Sequence, residues 1–244
     1  PSFGIVSEIL PVFSRKPLFG YESMVYATAS IGFLSFIVWA HHMFTTGMPL
    51  AGELFFMLTT MLIAVPTGVK VFNWSATMWK GSISFEPPML WAVSFLFMFT
   101  IGGFSGLMLA IAPADFQYHD TYFVVAHFHL IMGVASIFGI FAGSYFWFPK
   151  MFGRMMNETL GWIHFAGSFI CMNGIFMPMF ILGLAGVNRR LYDGGLQYAH
   201  AKGVAAWNTP MTEFALVLGL FQIVFIVNLF GSLTFGRKAS TNPW

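Results

Sequence analysis

Six long stretches of apolar residues dominate this sequence, and they constrain its fold more than any other feature. They cover residues 21–42, 50–78, 88–112, 122–148, 158–184 and 210–236. Each is long enough to cross the ~30 Å hydrocarbon core of a bilayer as a helix, which takes about 20 residues. Only 8% of the residues are charged, against about 25% in soluble domains. The pattern predicts a polytopic protein embedded in membrane lipid.

A shorter apolar stretch, residues 1–13, precedes the first of these. It is too short to span a bilayer, and it lacks the charged start and the small-residue cleavage site of a signal peptide. We interpret it as the end of a helix that begins in preceding chain, so that the sequence is a piece of a longer protein. The predicted fold is all-α: a transmembrane helix bundle with six full spans plus the end of a seventh.

Charge and cysteine content exclude other classes. The net charge of +2 and the absence of a basic run argue against nucleic acid as a partner. The single cysteine, Cys171, excludes an internal disulfide and a CxxC metal site. We expect it to be a small packing residue.

Lysine and arginine divide unequally between the two sides of the predicted bundle. The side with fewer of these residues holds only Arg189, Arg190 and Lys202. By the positive-inside rule the richer side is cytoplasmic, or matrix in a mitochondrion; we name it the inner side and the other the outer side. The residues of the inner side are Arg15, Lys16, Lys80, Lys150, Arg154, Arg237 and Lys238.

With this orientation, unusual polar residues gather at the outer side. Imidazoles in hydrocarbon are costly, so a group of them indicates function, whereas any single one could be a hydrogen-bonded packing residue. Histidine is also the commonest metal ligand. The gathered residues are His41, His42, His119, Asp120, His127, His129, Arg189 and Arg190.

The spacing of the histidines limits what they can bind. His127 and His129 point about 200° apart on a helix, so they cannot share one metal but can serve two centres. With no thiolate or thioether partner nearby, iron in a macrocycle is the occupant we expect, with one axial imidazole each. His41 and His42 differ by about 100° at a helix end, so both can turn toward one copper-like ion.

Two arginines lie at the outer boundary, in the motif "GVNRR". Arginine holds carboxylates by paired hydrogen bonds, which suits haem propionates. The alternative is that Arg189 and Arg190 are ordinary boundary anchors. Their place on the side poor in arginine weakens that alternative.

Lys70 lies inside the second span, on one helical face with Thr60 and Thr67. A buried lysine is costly unless it is solvated or its pKa falls. Pro66 leaves a backbone carbonyl free to bind water. The stripe predicts a proton path toward the outer metal site, and snorkelling of Lys70 to the inner boundary is the alternative.

Four motifs, "VWAHHMFTTGM", "AVPTGVKVFNW", "HDTYFVVAHFH" and "GVNRR", resemble the second half of subunit I of the haem–copper oxygen reductases. The resemblance is closest to aa3-type cytochrome c oxidases and runs through essentially all 244 residues, in the same order. It implies that residues 1–244 are the C-terminal half of that subunit's transmembrane domain.

The resemblance also implies the ligands of the redox centres. His41 and His42 match two of the three histidines on the copper of the binuclear centre. His127 matches the axial ligand of the oxygen-binding high-spin haem, and His129 matches an axial ligand of the low-spin haem. The implied cofactors are two haems of the a type, copper and magnesium.

Further residues match the sites around those centres. His119 and Asp120 match ligands of a magnesium ion at the interface with subunit II. Thr67 and Lys70 match the proton channel named for its lysine, and Ser7 matches a hydroxyl of that channel. The pair in "GVNRR" matches residues that hold haem propionates.

The function implied is reduction of oxygen to water with electrons from cytochrome c, coupled to proton translocation. The implied partners are the N-terminal half of subunit I, subunits II and III, cytochrome c and oxygen, in a bacterial inner membrane or, alternatively, a mitochondrial one. A quinol-oxidising relative, a copper-free haem electron carrier, a histidine-based proton channel and an inactive remnant are the alternatives.

This sequence departs from the family pattern in a few places. Leu130 replaces a Tyr or Asn that often follows "HFH", and Glu8 beside Ser7 is unusual and has no assigned role. The third copper histidine, its cross-linked tyrosine, the other low-spin haem ligand and the acid of the second proton channel belong to preceding chain. We therefore expect that this chain alone completes neither redox centre.

Overall fold

The computed structural model describes all 244 residues, and they form a helical bundle without a β-sheet. The helices are α1 (Ser2–Ser14), α2 (Tyr21–Ser35), α3 (Leu50–Leu62), α4 (Ala64–Met78), α5 (Pro87–Ala110), α6 (Ala112–Tyr118), α7 (Tyr122–Phe128), α8 (Ala135–Phe152), α9 (Glu158–Leu184) and α10 (Asn208–Phe235). A 3-10 segment covers Trp39–Thr46, a π-helical turn covers His129–Val134, and two short 3-10 turns, Ala199–Ala201 and Ala205–Trp207, precede α10.

Six helical stretches are long and apolar enough to cross a membrane, which confirms the predicted fold class of a polytopic all-α bundle. Helix α1 is the shorter apolar helix that precedes them. The six stretches are Tyr21–Thr46, Leu50–Met78, Pro87–Ala110, Tyr122–Phe152, Glu158–Leu184 and Ala205–Phe235. The predicted boundaries lie within a few residues of these, and the predicted 158–184 span is reproduced.

The loops agree with the predicted alternation of sides. On the inner side the backbone N–H of Ser82 donates to the carbonyl of Ser14 (3.1 Å), and that of Met155 donates to Arg237 (2.7 Å). On the outer side the N–H of Arg189 donates to the carbonyl of Asp120 (2.8 Å). Loops assigned to one side therefore contact each other.

The predicted span over residues 21–42 is present, but it is not one regular α-helix. Helix α2 stops at Ser35, and the histidine pair lies on the 3-10 segment instead. That segment is itself kinked at Met43 and is followed by Gly47, whose φ of 86° suits glycine. His41 and His42 therefore lie on an irregular 3-10 backbone beyond the C-terminal end of α2.

The second span is also interrupted, between α3 and α4. Pro66 has no N–H and its ring clashes with the carbonyl four residues earlier, which breaks the helix one turn before it. The N–H of Thr67 donates to the carbonyl of Ile63 (3.2 Å) and carries the chain across the break. Thr60 and Lys70 consequently lie on two different helices.

The core lies where α1, α4, α5 and α8 meet. Large aromatic side chains fill it, with Trp74, Trp91 and Phe138 fully buried. Small residues let the helices approach closely: a Cβ at Gly139 of α8 would lie 2.6 Å from the Cβ of Ser2. Close backbone approach of this kind drives helix association in lipid, where apolar burial contributes little.

Candidate functional site

The residues predicted to bind metals lie at the outer end of the bundle, and His41 and His42 form a pair. Their Nε2 atoms are 3.1 Å apart. The Nδ1 of His41 is 3.1 Å from the hydroxyl oxygen of Thr60, and that hydroxyl donates to the carbonyl of Phe56 (2.5 Å). Since the Thr60 proton is engaged, its oxygen accepts from Nδ1–H of His41, and the Nε2 of His41 is left without a proton.

His127 is fixed in the same way by α5. Its Nδ1 is 2.9 Å from the carbonyl of Gly102 and 3.0 Å from the hydroxyl of Ser105. Because Ser105 donates to Gly102 (2.7 Å), both neighbours act as acceptors toward Nδ1–H. The Nε2 of His127 therefore carries the free lone pair, the arrangement that metal-binding histidines use.

Close backbone approach also holds the His127 ring. A Cβ at Gly106 would lie 2.8 Å from its Cε1 atom, so α5 presents a glycine where the imidazole packs. The ring also lies within electrostatic range of both His41 and His42. The three imidazoles thus converge on one region.

His129 faces elsewhere. Its Nδ1 donates to the carbonyl of Val125 (2.8 Å), and its ring stacks on Phe176 of α9, with centroids 4.5 Å apart and planes at 17°. His127 contacts α5 while His129 contacts α9, so the two rings serve opposite faces of one helical segment. A single metal shared by both is excluded.

His119 and Asp120 also converge, with Nε2 and Oδ2 3.7 Å apart. A further charged residue contacts each of them. Nδ1 of His119 lies 3.1 Å from Oδ2 of Asp115. Oδ1 of Asp120 accepts from Nε (2.8 Å) and Nη2 (2.5 Å) of Arg189. Asp115 was missed by the sequence reasoning, although its i, i+4 spacing to His119 on α6 is a usable signal.

The two carboxyl groups differ in their electrostatics. Burial raises the pKa of Asp115, against the opposing effect of His119. Burial also acts to raise the pKa of Asp120, but the hydrogen bond and charge of Arg189 outweigh it, so the net pKa of Asp120 is lowered. Asp120 is thereby kept ionised and available to a cation.

The two arginines are placed differently. Arg189 is bound to Asp120, a contact that the sequence did not predict, while Arg190 is exposed and has no ionic partner in the chain. The contacts of Arg189 use its Nε and Nη2 atoms and leave Nη1 free. A further carboxylate can therefore still be held at this boundary by Arg190 and the remaining Arg189 donor.

Lys70 is buried, with 1% of its surface exposed. Its Nζ lies 4.8 Å from the centroid of the Phe3 ring and 5.4 Å from that of Trp74, and 3.5 Å from the carbonyl of Met24. The hydroxyl of Ser7 accepts from Trp74 Nε1 at 2.9 Å. The amine therefore points into the bundle and does not snorkel to the inner boundary.

The threonines of the predicted proton path lie between Lys70 and the histidine pair. Thr67 donates to the carbonyl of Ile63 (2.8 Å), and Thr60 contacts His41 as described above. No direct hydrogen bond joins Lys70 to either threonine. Thr60 lies on α3, and Thr67 and Lys70 lie on α4.

Each candidate metal position has at most two ligands in this chain. No three His, Cys, Asp or Glu side chains in it are arranged so that they could hold one metal ion between them. The copper-like pair and the His119–Asp120 pair both need further ligands from outside.

Comparisons with known proteins identify the family to which the chain belongs. The family model of cytochrome c and quinol oxidase polypeptide I matches residues 1–233. Cytochrome c oxidase subunit 1 of Synechocystis sp. is 52% identical over all of this chain and 43% of its own length. The corresponding subunits of Corynebacterium efficiens and Cereibacter sphaeroides are 51% and 47% identical, with 41% and 42% of their lengths covered.

A solved structure described as a heme-copper terminal oxidase dimer has the same fold. It superimposes with a TM-score of 0.77 over 93% of this chain and 44% of that one, at 19% identity. The chain therefore spans less than half the length of the relatives it matches. The family model nevertheless covers nearly all of it, which confirms the resemblance found in the motifs: the chain belongs to the family of cytochrome c and quinol oxidase polypeptide I.

Proposed function

We propose that this chain forms the C-terminal half of the catalytic subunit of a respiratory oxidase that reduces oxygen to water. The observation that carries the proposal is the convergence of His41, His42 and His127, with His129 directed to the opposite face of the same helical segment. One copper and two haem irons account for all four imidazoles.

The residues fit those groups. His41 and His127 each have Nδ1–H bound to an oxygen and an Nε2 that carries no proton, and Nδ1–H of His129 is also bound to an oxygen. The Nε2 atoms of His41 and His42 lie 3.1 Å apart, so these two imidazoles would together hold the copper. When bound, the iron and copper supply the electrons and the Lewis acidity for cleavage of the oxygen–oxygen bond.

The other residues supply positioning and protons. Lys70 and Ser7 would take up protons from the inner side, and Thr67 and Thr60 would line the water path above them. Thr60 would in addition fix the tautomer of His41. A lysine kept inside the bundle by aromatic rings can exchange its proton with water, whereas one extended to the surface would not reach the site.

At the outer boundary we propose a magnesium ion on His119 and Asp120. Carboxylate oxygen is the ligand Mg²⁺ prefers, and Arg189 keeps the carboxylate of Asp120 ionised and oriented. Arg190 and the free donor of Arg189 would hold haem propionates.

The electron donor we propose is cytochrome c, because relatives that oxidise quinol tend to lack the aspartate found at Asp120. The proposed haems are of the a type. The upstream half of subunit I, subunits II and III, and a bacterial inner membrane complete the setting; the relatives compared above are bacterial proteins named for cytochrome c oxidation.

The test uses the full-length oxidase complex, purified from its own membrane. We expect haem absorption from two centres, copper bound to the complex, and oxygen consumption with reduced cytochrome c but not with a quinol. His41→Ala or His42→Ala should abolish oxygen consumption and lower copper content while both haems remain. Wild-type oxygen consumption in these variants would favour a copper-free electron carrier, and a colourless complex would favour a proton channel.

A further inference from the structure

The ring of His129 has contacts on two different helical segments, and they constrain it differently. Its Nδ1 donates to the carbonyl of Val125 at 2.8 Å, one turn earlier in its own segment. Phe176 of α9 lies against the ring, with centroids 4.5 Å apart and planes at 17°. The first contact ties the imidazole to the segment that carries it, and the second ties it to a neighbouring helix.

The hydrogen bond alone leaves the plane of the His129 ring poorly fixed. Hydrogen bonds form over a range of angles, so the imidazole can turn about its Cβ–Cγ bond while Nδ1–H still bonds to Val125. A flat ring stacked against it at a small interplanar angle opposes such a rotation, because the two faces would no longer be parallel. The plane of the imidazole therefore depends on Phe176.

The irregular backbone at His129 gives this contact more weight. A π-helical turn begins at His129 and runs to Val134, so the regular hydrogen-bond pattern of the helix changes at the residue that carries the imidazole. The ring of Phe128 lies 4.4 Å away at 31°, but Phe128 belongs to the same segment and moves with it. Phe176 is the aromatic contact that holds the imidazole from a different helix.

Helix α9 is itself fixed against the segment that carries His129. One turn beyond Phe176, the ring of Phe180 packs edge-on against Phe123 of α7, with centroids 4.9 Å apart and planes at 70°. Further along, Gly183 lies so close to the backbone nitrogen of Phe123 that a Cβ there would clash with it. Phe176 also packs against the apolar core. Its ring is thus a fixed surface against which the imidazole is oriented.

We propose that Phe176 is a positioning residue for the low-spin haem, whose ring sets the plane of the His129 imidazole and so the orientation of the axial ligand on the iron. The inference rests on the proposed function, because it takes His129 as that ligand. The plane of an axial imidazole decides how the iron d orbitals are split, and groups that orient a ligand tune the metal it holds. Phe176 acts on the low-spin haem through His129, without contact to the iron.

The test is electron paramagnetic resonance of the oxidised full-length complex, because the g-values of a low-spin ferric haem depend on the planes of its axial imidazoles. Phe176→Leu removes the flat ring and keeps an apolar side chain. We expect its low-spin signal to shift in g-value and to broaden, since the imidazole then occupies a range of planes. Phe176→Tyr keeps the ring and should give the wild-type signal. Phe176→Met, with a more adaptable side chain, provides the same comparison if the leucine variant assembles poorly.

Phe180→Leu is the matched control. It makes the same exchange one turn further along α9, at a ring that contacts Phe123 in place of the histidine, and it should leave the g-values unchanged. Wild-type g-values in Phe176→Leu and Phe176→Met would overturn the proposal. An equal shift in the Phe176→Leu and Phe180→Leu variants would also overturn it, because the cause would then be a general loosening of α9.

One further variant separates this proposal from the proposed function. His129→Ala should remove the low-spin signal of the complex. A low-spin signal that survives in His129→Ala would refute the assignment of the ligand, and with it the role of Phe176. If the signal is lost in His129→Ala but is unchanged in the Phe176 variants, the ligand assignment holds and only the positioning role fails.

Discussion

Replacement of Gly106 by alanine tests whether the position of His127 depends on the close approach of α5. The new Cβ would lie 2.8 Å from Cε1 of His127, closer than non-bonded carbons tolerate, since their optimal separation is ~3.5–4.0 Å. The ring cannot move away freely, because its Nδ1 is bound to Gly102 and Ser105. Displacement therefore loses or weakens two hydrogen bonds.

The magnitude follows from those two bonds. At ~1 kcal/mol each the displacement costs about 2 kcal/mol, which corresponds to roughly a 30-fold effect on a rate or an equilibrium. We expect this loss in carbon monoxide binding to the reduced high-spin haem and in oxygen consumption of the full-length oxidase. Total haem content should fall less, since His129 keeps its own contacts.

A second glycine of α5 provides the matched control. A Cβ at Gly103 would meet nothing within 4 Å, and Gly103→Ala gains the same helix propensity as Gly106→Ala, about 1 kcal/mol. The two variants therefore differ only in the contact with His127. If the carbon monoxide binding and the oxygen consumption of Gly106→Ala are within about twofold of those of Gly103→Ala, then Gly102 and Ser105 do not hold the ring of His127 in place.

Three further predictions concern other parts of the bundle. Lys70→Met should slow proton delivery to the reduced oxygen-binding centre at least about tenfold with haem content unchanged; wild-type turnover, measured by stopped flow, would contradict the proton path. Thr60→Val removes the acceptor for Nδ1 of His41 and should lower copper affinity about 10- to 100-fold, measured as copper per haem, whereas Thr59→Val, whose hydroxyl bonds only the preceding turn, should not. The buried ring of His164 on α9 contacts the hydroxyl of Tyr145 on α8 and Oε1 of Gln222 on α10. His164→Leu removes both hydrogen bonds and should destabilise the subunit by about 1–2 kcal/mol, measured as a lower Tm. An unchanged Tm would show that these hydrogen bonds do not contribute to stability.

The number, order and approximate limits of the spans could be predicted from sequence because each depends on a long run of apolar residues, a strong and local signal. The break between α3 and α4 was also foreseeable, since Pro66 lies inside a span. The end of α2 at Ser35 was not, because no proline or glycine directly follows it and apolar residues continue through Trp39. Composition cannot distinguish an α-helix from a 3-10 segment in such a run.

Part of the candidate site could likewise be predicted from sequence, and part could not. Residue types and spacing were sufficient to gather the histidines at one side of the membrane and to separate His127 from His129. The partners of these residues were not predicted. Ser105 is an ordinary polar residue in sequence, and only the packing of α5 brings it to His127, whereas the i, i+4 spacing of Asp115 and His119 was a usable signal. The contact between Arg189 and Asp120 joins loops that are 69 residues apart, a distance over which spacing carries no information.

The π-helical turn at His129–Val134 shows why periodicity fails beyond the histidines. A π-helical turn is in effect one residue inserted into an α-helix, so residues after it are rotated by about 100° relative to a regular continuation. The ring of His129 donates to the carbonyl of Val125, and such bonds compete with the regular backbone pattern. Extrapolation of the His127 face along one ideal helix would therefore misplace the side of α8 that buries Phe138 and Ala142 in the core. The irregular turn lets one segment present imidazoles to α5 and α9 at its outer end and still pack an apolar side against α1 and α5 at its inner end.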